Sequence, residues 1–165
     1  MSVLKWGGAG LAALAMLMLL AVLGDQLGLW RGQAPDDLGV RNGRLKPPSM
    51  TANSVSSQAG LWPGHPQQEA ARIEPLALLG DGPGTLQRLH DTVAAMPGAR
   101  IVRFEGDYLR AEFTTPLMQF TDDAEFWLDR EAGVVHVRSA SRLGRGDLGT
   151  NRRRIEALRA RLQER

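Results

Sequence analysis

Six carboxylates and seven guanidinium groups crowd into residues 120–154, which read FTDDAEFWLDREAGVVHVRSASRLGRGDLGTNRRR, with most of the acids ahead of most of the arginines. Asp122, Asp123, Glu125, Asp129 and Glu131 come first, and Arg138, Arg142, Arg145, Arg152, Arg153 and Arg154 follow. Neighbouring carboxylates can share acid–base work, and their oxygens can hold a divalent cation. No fixed ligand spacing supports a metal, so none is expected. The same acids facing arginines on an adjoining strand would instead form a cross-strand ion-pair lattice, an ordinary way to stabilise a sheet. A second chemistry is available where Gly144, Gly146 and Gly149 lead into the helix start at Arg152, Arg153 and Arg154. Loop N–H groups, a helix start and guanidinium groups could converge there on phosphate, sulfate or carboxylate. Alternatively Asp147 and Asn151 cap that helix and the arginines pair with the acidic strand. Arginines at a helix start oppose the macrodipole and need a partner on either reading.

These groups must be positioned by elements, and side-chain alternation supplies them. Residues 101–105 and 108–115 read as strands joined by Gly106 and Asp107, a two-residue hairpin link. Residues 124–129 and 134–141 form a second hairpin, turning near residues 131–133. Period-2 alternation sends Leu109, Ala111, Phe113, Ala124, Phe126, Leu128, Val135 and Val137 to one face. The other face receives Tyr108, Arg110, Glu112, Asp123, Glu125, Trp127, His136 and Arg138. Asp122 points away from Asp123 and Glu125. Tyr108 and Trp127 could line a ligand surface there or pack beneath the preceding segment. Ahead of the sheet, Leu86, Leu89, Val93 and Met96 recur at helical spacing after Thr85, a candidate cap, and Pro97 with Gly98 stops the helix. After it, Thr150 or Asn151 caps a helix with the apolar stripe Ile155, Leu158 and Leu162.

Residues 6–23 carry no charge and cover about 27 Å of a hydrocarbon core roughly 30 Å thick. Lys5 before the run and Asp25 after it predict an uncleaved anchor with a cytoplasmic start, since cleavage would want smaller residues than Ala21, Val22, Leu23 and Gly24 offer. Residues 25–70 are rich in Gly, Pro and polar residues and read as a tether or an extended wrap, with folding expected from about Arg72. Within this segment NSVSSQ, residues 53–58, has no glycine elbow and no evident base, which favours turn hydrogen bonding over a nucleophilic serine. The formal charge of +2 conceals four arginines against eight acids in residues 100–131 and nine against three in 138–165. Mutual neutralisation makes nucleic acid an unexpected partner. With no cysteine, disulfides and thiolate metal sites are excluded. The three histidines stand far apart, and nothing resembles a nucleotide-binding loop or a catalytic triad.

The spacing VRSASRxGxxDxGxNRxR at residues 137–154, with FxDDxEF at 120–126 and YLRAEF at 108–113, resembles the domain of unknown function 1499 family over roughly residues 45–162. The resemblance implies an envelope or plastid protein with no assigned activity. The family's upstream CPxxPNCVSS element stands here with Pro48 and Ser54 at the cysteine positions and Ala52 for the second proline, so that pair has no disulfide or metal role. Asn53, Val55, Ser56 and Ser57 match the rest.

The expected protein is α+β: an N-terminal transmembrane helix over residues 1–24, a linker or wrap over 25–70, and a domain over 71–165. That domain holds a helix, a four-stranded antiparallel sheet and a C-terminal helix packed on one face. The expected function is a non-enzymatic envelope module on the outer side of the inner membrane. It would bind an anionic ligand, a lipid head group or a protein partner through Tyr108, Asp123, Glu125, Arg138, Arg142, Asp147, Asn151, Arg152 and Arg154, without a cofactor. The alternative is a hydrolase or transferase using Asp123, Glu125 and His136.

Overall fold

A computed structural model describes residues 2–26, 28 and 31–164, except for the side chains of 2–9, 11, 21, 25 and 26. Helix α1, Ser2–Gln26, comes first. Its side chains from 12 to 20 are all exposed, with Leu14, Met16, Leu17, Met18, Leu19 and Leu20 each more than half so. Among the described residues no helix is long and apolar enough to cross a membrane. The anchor expected over 6–23 includes positions 6–9, 11 and 21, whose side chains lie outside the described residues.

The two hairpins form as their alternation dictates: β3 (Ala99–Glu105) with β4 (Tyr108–Thr114), and β5 (Thr121–Asp129) with β6 (Val134–Ser141). Gly106 turns the first at φ 55°, a conformation glycine enters freely. The Asp129 carboxylate accepts the N–H groups of Glu131 and Ala132 to close the second.

The sheet is larger than the expected four strands. Short strands β1 (Ser54–Ser56) and β2 (Leu76–Ala77) both pair antiparallel with the outer edge of β6, at opposite ends of it. The resulting antiparallel order is β1-β6-β5-β4-β3, with β2 also on β6. An exposed edge strand invites pairing with other chains, and these additions cover it.

Helices α2 (Gly82–Ala94) and α3 (Thr150–Gln163) pack on one face. Leu86, Leu89 and Val93 of α2 and Ile155, Leu158 and Leu162 of α3 meet the apolar sheet residues in one core. The cap of α2 is Asp81, not Thr85: its carboxylate accepts the Gly84 N–H, and Pro83 fits the first turn, where no N–H is needed. Thr85 is buried and donates to the Asp81 carbonyl.

The opposite, polar face is buried as well. Residues 37–47 run across it, Leu45, Val55, Ala59 and Ala71 are buried, and the packed domain therefore begins well before Arg72. Main-chain groups, more than side chains, tie this wrap down. The Gly39 N–H donates to Glu125 and the Pro47 carbonyl accepts from Arg138.

Candidate functional site

The predicted site residues separate onto two faces of the sheet. Tyr108, Asp123, Glu125, Arg138 and Arg142 share the face beneath the wrap, while Asp147, Asn151 and Arg154 lie on the helix side. Arg152 joins neither group; it donates to the carbonyls of Ala70 and Arg72 at the β1 edge.

Beneath the wrap, cross-strand registry makes the ion-pair lattice. Glu112 stands opposite Asp123, and Glu125 opposite both Arg110 and Arg138. Arg142 grips Asp123 with two bonds of 2.7 and 2.9 Å and reaches Glu112 at 2.5 Å. Arg110 adds a bond of 2.8 Å to Asp123, and Arg100 one of 2.6 Å to Glu112. Burial alone would raise the Asp123 pKa, but Arg142 and Arg110 together hold it below the ordinary carboxylate value. Glu125, wholly buried, accepts from Tyr108 at 2.8 Å and Gly39 at 2.7 Å, and meets Arg138 at 3.5 Å. Burial, then the Glu125 charge, pushes the Tyr108 phenol far above its usual range. Every acid here has a partner, and against the opposing effect of burial arginines hold Asp123 and Glu112 below the ordinary carboxylate range. Such a lattice orders the sheet and the wrap.

At one end of this face His136 stacks on Trp127, with ring centroids 5.5 Å apart. Its Nδ1 lies 3.1 Å from Ser57 Oγ and its Nε2 3.6 Å from Asp129. The serine in NSVSSQ therefore does have an imidazole beside it, supplied by β6. Its hydroxyl, however, accepts the Val137 N–H at 2.9 Å and serves the β1–β6 seam. Burial holds the His136 pKa below its usual value despite Asp129.

The helix side contains residues that sequence reasoning left out. Asp122 is buried on the core face, and its partner is Arg154 at 2.6 Å, which also lies 4.5 Å over the Phe113 ring. Asn151, fully buried, is the hub: it accepts from Ser139 at 2.6 Å and Arg154 at 2.7 Å, and donates to the Asn53 carbonyl and to Ser141. The helix start offered to an anion is already capped. Asp147 accepts the N–H groups of Gly149 and Asn151; burial would raise its pKa, but these bonds lower it on balance. The signal for Asp122 was its place among apolar residues in the alternation, since a buried carboxylate requires a cation.

This cluster lies behind two open clefts at the end of the sheet, one between the β4–β5 and β6–α3 loops and one between the end of β4, the turn before β3 and the start of α3. One, of about 250 Å³, has Asp122 and Ser141 within it and Phe120, Leu143 and Leu148 along its sides. The other, of about 330 Å³, has Phe113, Pro116, Arg153 and Arg154. They adjoin at Thr115 and Thr150, which line both. Arg153 donates, among the described residues, only to neutral oxygens, the Leu148 carbonyl and the Thr150 hydroxyl. Among the described residues no group of three or more acidic or histidine side chains could hold a metal ion.

Comparison with known families matches residues 44–162 to a protein of unknown function, DUF1499. The chain belongs to the DUF1499 family. The matched region begins where the wrap begins to bury side chains, at Leu45, and ends within α3. No curated protein and no solved structure matches this DUF1499 chain. Where the family's cysteines would stand, Pro48 is buried and the Ser54 hydroxyl accepts the Ser49 N–H at 2.8 Å, a hydrogen bond that ties the two ends of this turn together.

Proposed function

We propose that this DUF1499 protein is a membrane-tethered, non-enzymatic module that holds an anionic amphiphile in the two adjoining clefts at the end of its sheet. In this reading residues 6–23 anchor the chain in the inner membrane, with the start cytoplasmic and the domain on the outer side. The exposure of the described large apolar side chains of α1, from Leu14 to Leu23, suits lipid better than water.

One observation carries the proposal: a cleft with Arg153 and Arg154 shares Thr115 and Thr150 with a cleft walled by Phe120, Leu143 and Leu148. The first suits a charged head, the second an apolar portion, and together they reach the size of small-ligand sites, about 300 Å³ upward. Arg154 is engaged by Asp122, so the available cationic donor is Arg153, whose neutral partners a phosphate or carboxylate oxygen would outbid. The carboxylates beneath the wrap take no part, being sealed and mutually neutralised.

The test is purification of the full chain in mild detergent, followed by mass spectrometry of the lipids that travel with it. An anionic amphiphile should accompany the native chain and be lost from Arg153→Glu and Thr150→Trp, with thermal stability retained. Equal lipid content in all three would refute the reading.

A further inference from the structure

We infer that the two loops around the clefts rest on the bilayer itself, their leucine tips entering the interface and their arginines meeting anionic head groups. This rests on the tethered reading above and adds the surface against which the site opens.

Single exposed apolar residues are ordinary on a protein surface, but here they gather at one end. Leu117 is 84% exposed and Leu148 94%, with Met118 and Leu143 beside them at 37% and 39%. Leu148 is also held at φ 51°, in the left-handed region that a leucine enters only at an energetic cost. The backbone is thus constrained to project a large apolar side chain outward, which gains nothing in water.

The charge around these tips is predominantly positive. Among the described residues Arg31 and Arg153 donate only to neutral oxygens, and Arg145 has no carboxylate partner. Of the nearby acids, Asp122 is paired with Arg154, and Asp147 directs its carboxylate to the N–H groups at the start of α3, leaving three arginines against one acid. Leucine tips ringed by uncompensated arginines complement an anionic lipid surface.

The covalent path points the same way. Helix α1 ends at Gln26, and Arg31 is already bonded to Gln119 in the β4–β5 loop at 3.2 Å. Gly32 then lies so close to Arg142 and Leu143 that an added Cβ would sit 2.8 and 3.0 Å from them. Five residues span at most about 17 Å, so a membrane-embedded α1 holds this end of the domain at the lipid surface. The β5–β6 turn, at the other end of the strands, faces away.

The chain lacks cysteine, so single probes can be placed without background. Leu117→Cys and Leu148→Cys, with Glu131→Cys as the distal control, would each carry an environment-sensitive fluorophore in the full chain reconstituted into vesicles. In phosphatidylglycerol vesicles the two tip probes should show blue-shifted emission and several-fold weaker quenching by an aqueous quencher than the control. Protection should fall in phosphatidylcholine vesicles and on Arg145→Glu. Tip probes quenched as readily as the control would overturn the inference. Protection that disappears when the chain is diluted in lipid would assign the tips to a second copy and overturn it as well. A lipid that copurifies with the protein while the tips stay quenchable leaves the cleft reading standing and sinks this one; protected tips with no copurifying lipid do the reverse.

Discussion

Replacing Arg142 with Met would measure how much the buried lattice contributes to the fold. Its side chain is 7% exposed and that of Asp123 2%, so solvent cannot stand in for a lost guanidinium. Breaking a buried pair from one side typically costs 3–5 kcal/mol. Here Arg110 stays on Asp123 at 2.8 Å and Arg100 on Glu112 at 2.6 Å, which places Arg142→Met at the lower end, about 3 kcal/mol. For a domain of this size that is a fall in Tm of roughly 12 °C. Tryptophan fluorescence during thermal unfolding reads it, since Trp127 lies on the same face. Adding Asp123→Leu to Arg142→Met should recover most of the loss. Arg110 is then free to close on Glu112, 3.9 Å away, and no uncompensated buried charge remains. The pH profile gives a second reading. The folded Asp123 pKa lies below its unfolded value of 3.8, so its contribution is complete above that value and disappears as pH falls through the folded one. Arg142→Met should flatten this acid limb. A loss under about 1 kcal/mol, as for a surface pair, with an unchanged acid limb, would refute the buried lattice.

Tyr108 is the chain's single tyrosine, so tyrosinate absorbance reports it alone. With its folded pKa raised, the stability it contributes is complete below the unfolded value of 10.0 and fades as pH rises beyond it; the absorbance should appear only with unfolding, and a free titration near that value would contradict the Glu125 contact. Gly98→Ala should destabilise by about 3 kcal/mol in chemical denaturation, because the residue sits at φ 72° and a Cβ would lie 2.3 Å from the Thr114 carbonyl. A fluorophosphonate probe should leave Ser57 unlabelled in the folded chain, as its hydroxyl serves the β6 backbone. Labelling that disappears in both Ser57→Ala and His136→Ala would instead establish a nucleophile.

Alternation made both central hairpins legible, along with the sharing of one face by Asp123, Glu125 and Arg138. It could do so because a period of two survives in nine-residue β5 and eight-residue β6. Strands β1 and β2, of three and two residues, are too short to carry a period and exist only because β6 offers them an edge. The wrap was opaque for a different reason. Its ties to the sheet are the Gly39 N–H and the Pro47 carbonyl, which every sequence possesses and no side chain announces. The arginines of the α3 start leave two readings open in the sequence, an anion site or pairing with the acidic strand, because their partners are remote in sequence. Asp122 lies 32 positions from Arg154, and the Ala70 and Arg72 carbonyls 82 and 80 from Arg152. The exposed Leu148 carried no warning at all, since its significance lies in a backbone angle.

The seam between β1 and β6 orders events during synthesis. Ser56 pairs with Arg138, so the early segment has no strand to join until nearly the whole domain has been made. Closing a loop of about 80 residues is slow, and until then Glu125 and Arg138 lack their cover. A chain halted before β6 could not bury either half of the seam. The last strand to emerge is therefore the clasp that fastens the first.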